Sequence, residues 1–163
     1  MKKIYIAGPD VFDKNSIEIG KKYVELCKKY GFEGLYPLDN KVNFMQEKHK
    51  IAQDIFDANK AMIEECNIVI ANLNSFRGKE PDSGTVWECG YASALGKDVY
   101  VYIHRSTTYL EQFGDDEKLF SENGFVDLQE KIIEDFDHPF NLMIANSIKG
   151  LVIGSFEDAL KLI

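Results

Sequence analysis

The segment Asn67-Ile-Val-Ile-Ala-Asn72 has no polar residue between its two asparagines, so a strand formed from it is apolar on both faces and must be covered on both. Other short apolar runs punctuate the chain. Ile4-Tyr5-Ile6-Ala7 is stopped by Gly8-Pro9, Phe32 to Tyr36 by Pro37-Leu38-Asp39-Asn40, and Asp98 to His104 forms a further run. Between them lie stretches with helical spacing. One starts at Asn15 or Ser16 and runs to about Lys29, with Ile17, Tyr23, Val24 and Cys27 toward the core and Gly31 closing it. A second covers about His49 to Glu65 with a stripe of Ile51, Ile55, Met62 and Ile63, and a third ends near Gly96. Strands that alternate with helices build βαβ units, whose right-handed crossovers place helices on both faces of the sheet. The expected fold class is α/β: a doubly wound, mainly parallel sheet of about five strands.

Residues 105–137 show no clean period and read as a surface insertion with one or two short helices. His138 to Met143 opens another helical stretch, and Ser155-x-x-Asp158 resembles a helix start. With 163 residues the chain is expected to form a single domain, residues 1–163. The formal charge of −8 argues against nucleic acid as a partner, since phosphate-backbone binders carry a basic footprint. Cys27, Cys66 and Cys89 form no CxxC pair, which fits reduced thiols in a cytoplasmic setting. No apolar stretch reaches membrane-span or signal-peptide length, so no membrane partner is expected. His49, His104 and His138 have no metal-ligand spacing, and nothing asks for a cofactor.

Open parallel sheets bind ligands beyond the carboxyl ends of their strands. That rim gathers Gly8-Pro9-Asp10 and the loop Asn74 to Gly84. The segment Asp82-Ser-Gly-Thr-Val-Trp-Glu88 leads from this loop into a helix expected to start near Thr85. Two carboxyl groups beside one pocket can divide the work of nucleophile and proton donor. Thr85-x-x-Glu88 is equally a capping box, in which the glutamate binds a free backbone N–H. Glu88 shares a helical face with Tyr91, Ala92 and Leu95, where a carboxylate is costly unless paired or used. Asn59 stands on the core stripe of its helix, either as a satisfied buried amide or as a reader of a flat heterocycle. Tyr5 is either an ordinary strand tyrosine or a hydroxyl that orients a rim carboxylate. Gly8-Pro9 lacks the spacing of the dinucleotide and phosphate-binding loops, and Ser83 has no nucleophile elbow around it.

Taken together, Tyr5-Ile-Ala-Gly-Pro9 with Phe12, Tyr36-Pro-Leu-Asp-Asn40, Asp82-Ser-Gly-Thr-x-x-Glu-x-Gly90 and Asn141-Leu-Met143 resemble the nucleoside 2-deoxyribosyltransferases, in their YIAGP-bearing branch. The resemblance implies a flavodoxin-like fold and base exchange on 2′-deoxynucleosides in nucleoside salvage, with no cofactor. It implies Glu88 as the nucleophile, Tyr5 as the hydroxyl orienting it, and Asp82 as the group that contacts the base and takes part in its protonation. Gly8, Pro9, Phe12, Asn59 and Gly84 would bind substrate. Asn141 would reach sugar hydroxyls from a neighbouring subunit and Met143 would pack near the nucleophile, which implies a homo-oligomer, a dimer or trimer of dimers, with shared sites. Small-molecule partners follow: a 2′-deoxynucleoside and a free nucleobase. Two departures stand out. Asn59 replaces an aspartate found in some members, and the chain ends in Lys161-Leu-Ile163 where other members carry a terminal tyrosine. Two rival readings remain: a hydrolase acting on 2′-deoxynucleoside 5′-monophosphates, with Ser75, Arg77 and Ser83 near the phosphate, and a non-catalytic nucleotide-binding module.

Overall fold

The computed structural model describes residues 1–39 and 42–163; Asn40, expected at the stop after the second strand, lies outside them. In chain order the elements are β1 (Lys3–Ala7), α1 (Ser16–Lys29), β2 (Glu33–Leu35), α2 (Lys48–Glu65), β3 (Ile68–Asn72), α3 (Ser83–Ala94), β4 (Asp98–Ile103), β5 (Lys118–Ser121), β6 (Gly124–Asp127), α4 (Leu142–Ser147), β7 (Gly150–Ile153) and α5 (Phe156–Leu160). Five strands form one sheet in the order β2-β1-β3-β4-β7, parallel throughout. This is the doubly wound, flavodoxin-like order, whose direction of winding reverses between β1 and β3.

Strand alternation divides the core into two layers. Tyr5, Ala7, Val69, Ala71, Val99 and Val101 pack with Ile63 of α2, with Cys66 just past its end, and with Cys89 and Ala92 of α3. Ile4, Ile6, Ile68, Ile70, Tyr100 and Tyr102 pack with Cys27 of α1 and with Phe156, Ala159 and Leu160 of α5. Every residue of β3 is buried, as its unbroken apolar run requires. All three cysteines are buried and free, serving as small apolar residues. Ile17, expected in the core, is instead 63% exposed because it lies in the first turn of α1, away from the sheet.

Two elements differ from the sequence reading. The segment 105–137 contains one short 3-10 turn (Leu110–Gln112) and an antiparallel hairpin, β5–β6, in place of a second helix. Phe120 faces Phe125 across that hairpin, and Gly124 supplies the positive φ of its turn. The dipeptide Asn123-Gly124 is the local signal for such a turn. The fifth strand of the large sheet is β7, a four-residue edge between Lys149 and Gly154. Its short length hid it from periodicity.

A row of hydrogen bonds ties the carboxyl-end loops together. Asn72 Nδ2 donates to Asp10 Oδ2 at 2.9 Å, Asn74 N and Nδ2 donate to Asn72 Oδ1, and His104 N donates to Asn74 Oδ1 at 2.8 Å. The loops after β1, β3 and β4 are thereby fixed to one another on the rim where ligands bind.

Candidate active site

Tyr5 lies on the α2/α3 face of β1 because residues alternate sides along a strand. Its ring is fully buried. Its hydroxyl donates to Glu88 Oε1 at 2.6 Å, a short bond of the kind formed to a charged acceptor. α3 begins at Ser83, two residues earlier than expected, because Asp82 is its N-cap. The backbone N–H and the hydroxyl of Thr85 both donate to Asp82 Oδ2, each at 2.9 Å. No Thr85–Glu88 capping box forms: the Thr85 hydroxyl is bound to Asp82, and Glu88 sits in the second turn of α3 with its carboxyl turned to Tyr5. The cap and the glutamate are separate devices.

Burial pushes the Glu88 carboxyl up to about 7; the Tyr5 hydrogen bond pulls it down and the neighbouring Asp82 charge pushes it up again. Burial and the Glu88 charge both raise the Tyr5 phenol, which therefore stays a donor. A carboxyl that titrates near neutrality and carries one positioned donor is the kind of group found at reaction centres.

Glu88 and Asp82 open onto a pocket of about 370 Å³, within the roughly 300–1,000 Å³ typical of small-molecule sites. Of the candidate residues, Gly8, Phe12, Asn59 and Gly84 also line it. A Cβ at Gly8 would lie 2.8 Å from Asn72 Cβ, so this wall of the pocket packs directly on the hydrogen-bonded rim. Phe12 stacks on Phe76 with ring centres 5.6 Å apart, and the Arg77 guanidinium lies over both rings. The remaining wall is apolar, from Val11, Leu38, Phe44 and Ile55, none of them nominated from sequence. Phe44, four residues ahead of α2, is 70% exposed. The mixture suits a flat apolar ring with a few polar edges.

Three candidates lie elsewhere. Pro9 opens the 3-10 turn Pro9–Phe12 without lining the pocket. Asn141 caps α4, and Met143 is 72% exposed on the same helix; neither lines the pocket of its own chain. Among the described residues no group of His, Cys, Asp and Glu is arranged to hold a metal ion, and no helix is long and apolar enough to cross a membrane.

The sequence profile of the nucleoside 2-deoxyribosyltransferase family matches residues 4–143, a span from the first strand through Met143. The chain belongs to that family. Among solved structures it is similar to a 2-deoxyribosyltransferase of Leishmania mexicana, with 33% identity, a TM-score of 0.77, and 99% of this chain and 96% of that one covered. A 2-deoxyribosyltransferase from Bacillus psychrosaccharolyticus is 19% identical with a TM-score of 0.63, covering 97% of this chain and 90% of the other, and shares the fold. An uncharacterized protein of Schizosaccharomyces pombe is 30% identical over 112 residues, 67% of this chain and 53% of the relative. The chain thus spans about half the length of that curated relative. As a family member it carries Tyr5, Asp82, Glu88, Asn141 and Met143 all inside the matched span.

Proposed function

We propose that this family member exchanges the base of 2′-deoxyribonucleosides through a 2-deoxyribosyl ester on Glu88. The observation that carries the reading is the 2.6 Å bond from Tyr5 to Glu88 on the wall of a pocket that also holds Asp82. In the first step a Glu88 oxygen bonds to C1′ as the C1′–N bond breaks. The bonding pair leaves with the base, which takes a proton from Asp82 directly or through water. The transition state gathers positive charge at C1′, which the adjacent carboxylate stabilises. In the second step a nitrogen of the incoming base bonds to C1′, the ester C1′–O bond breaks with its electron pair returning to Glu88, and the proton of that nitrogen passes to the Asp82 carboxylate directly or through water. Two inversions return the original configuration.

Tyr5 holds one Glu88 oxygen and leaves the other for attack. Asp82 uses Oδ2 for the cap, so Oδ1 is the oxygen that faces the base. Asn59 and the Phe12 ring bind the heterocycle. Residues 1–163 act as a single domain. Asn141 and Met143 lie off their own pocket and serve that of a second copy, which makes the working enzyme a homo-oligomer. The buried free thiols suit a cytoplasmic setting, and the substrates place the reaction in deoxynucleoside salvage.

Deoxyinosine incubated with adenine should give deoxyadenosine. Hypoxanthine released without deoxyadenosine would replace the transferase with a hydrolase, and no release at all would leave a binding module. A 2-fluoro-arabino nucleoside should label Glu88; a label elsewhere would displace the nucleophile.

A further inference from the structure

The carboxylate of Glu134, in the segment between β6 and α4, spends both oxygens on the start of α4. Asn141 Nδ2 donates to Glu134 Oε1 at 2.7 Å, and Leu142 N donates to Glu134 Oε2 at 2.7 Å. The other end of the Asn141 amide is also committed, because Oδ1 accepts the Met143 N–H at 2.9 Å. A carboxylate only accepts and a backbone N–H only donates, so this pair of partners permits one orientation of the amide. Both ends of the link are anchored. Ile133 is 4% exposed and its N–H donates to Phe125 O of the hairpin, while Phe140 is 3% exposed in the α2/α3 core layer. Glu134 has no cationic partner among the salt bridges of the described residues. Both of its oxygens are engaged by these two donors.

We infer that Glu134 is a positioning residue for the base-exchange reaction: it locks the Asn141 amide so that one Nδ2–H and one Oδ1 lone pair remain in fixed directions for the hydroxyls of a 2′-deoxyribosyl group. This rests on the reading of Asn141 as a sugar contact. It also gives the insertion a role at the site, because Glu134 lies within residues 105–137. Hydroxyl contacts that are the same in ground and transition states affect KM more than kcat.

The test is steady-state exchange of deoxyinosine with adenine by wild type, N141A, E134Q and E134Q/N141A, with melting temperatures of all four. A glutamine in place of Glu134 offers one acceptor oxygen where two are needed. E134Q should therefore raise KM for deoxyinosine up to about tenfold, the scale of one hydrogen bond, with kcat changed less than about threefold. Acting through Asn141, it should add nothing further in the N141A background. A lower melting temperature with KM unmoved overturns the proposal and leaves Glu134 a cap. A full additional factor in the double variant also overturns it, since Glu134 would then act independently. Wild type that is active and N141A that equals wild type refute the sugar contact itself, and the proposal falls with it. Wild type with no exchange refutes the transferase reading.

Discussion

Tyr5 and Glu88 are 83 residues apart in sequence and meet at 2.6 Å, one from the middle of β1 and the other from the second turn of α3. The bond ties a central strand to the helix that follows β3, and it gives each partner what the other needs. The phenol has a buried acceptor, and the carboxylate has a donor that offsets part of its loss of water.

Removing the carboxylate tests the centre directly. E88A and E88Q should both lower base exchange by at least about 10³-fold, measured by deoxyadenosine formation, as expected when a covalent nucleophile is lost. They differ in structure. Glutamine keeps an acceptor for the Tyr5 hydroxyl, so E88Q should retain nucleoside binding and, near pH 4.5 where Glu88 is protonated, a melting temperature close to wild type, whereas E88A leaves the phenol unpaired. E88Q with substantial exchange would move the chemistry to another residue.

The raised carboxyl makes stability depend on pH with a definite sign. An unfolded glutamate releases its proton near 4.3, while folded Glu88 holds it up to about 7. Between those values the native state binds more protons than the unfolded state, so this group's contribution falls as pH rises through the window and is level above it. Other carboxyls, Asp158 and Glu64 among them, are held low by their partners and slope the opposite way. The observable is therefore a difference: the urea-unfolding stability of wild type minus that of E88Q should decline from about pH 4.5 to about pH 7. A flat difference would show that Glu88 titrates normally. The same titration predicts that formation of the glycosyl-enzyme falls off on the acid side of about pH 7, since attack needs the carboxylate.

Tyr5→Phe keeps the buried ring and deletes only the donor. Because the hydrogen bond lowers the Glu88 carboxyl, its loss should move the acid limb of the rate profile to higher pH. The rate at the optimum should fall about 10- to 100-fold, the equivalent of a hydrogen bond to a charged group. A pH profile that coincides with wild type would reduce Tyr5 to a core residue.

The sequence was most legible where physical chemistry is local. The all-apolar run of β3 announced a doubly covered strand, and the order of strands and helices announced a parallel sheet. Glu88 was visible as a carboxylate on an apolar helical face, but spacing could not tell a cap from a site. That needed the third dimension, where Asp82 holds the cap and Tyr5, from a distant strand, holds the glutamate. β7 was illegible because four residues at a sheet edge, with Leu151 and Ile153 partly exposed, give too few positions for a period. The apolar wall of Val11, Leu38, Phe44 and Ile55 was missed for a different reason: Ile55 was assigned to the core by its helical spacing, and it is 38% exposed beside the pocket.

Asp82 has two duties that substitution can separate. As N-cap of α3 it accepts from the Thr85 N–H and hydroxyl, and asparagine caps a helix about as well as aspartate. D82N should therefore cost only a few tenths of a kcal/mol, while D82A should cost about 1 kcal/mol, read from the unfolding midpoint. Both variants remove the negative charge that helps raise Glu88, so its titration should move down toward the ordinary carboxylate range, and the acid limb of the rate profile should shift to lower pH in each. That shift is opposite to the one expected for Tyr5→Phe. If Asp82, in the form that carries the proton while Glu88 is ionised, also delivers it to the departing base, D82N should lose about 10²–10⁴-fold in rate despite its intact helix, the usual contribution of a positioned general acid. Donors whose base leaves readily without protonation should lose much less. A folded D82N that exchanges poor and good leaving groups at wild-type rates would restrict Asp82 to the cap.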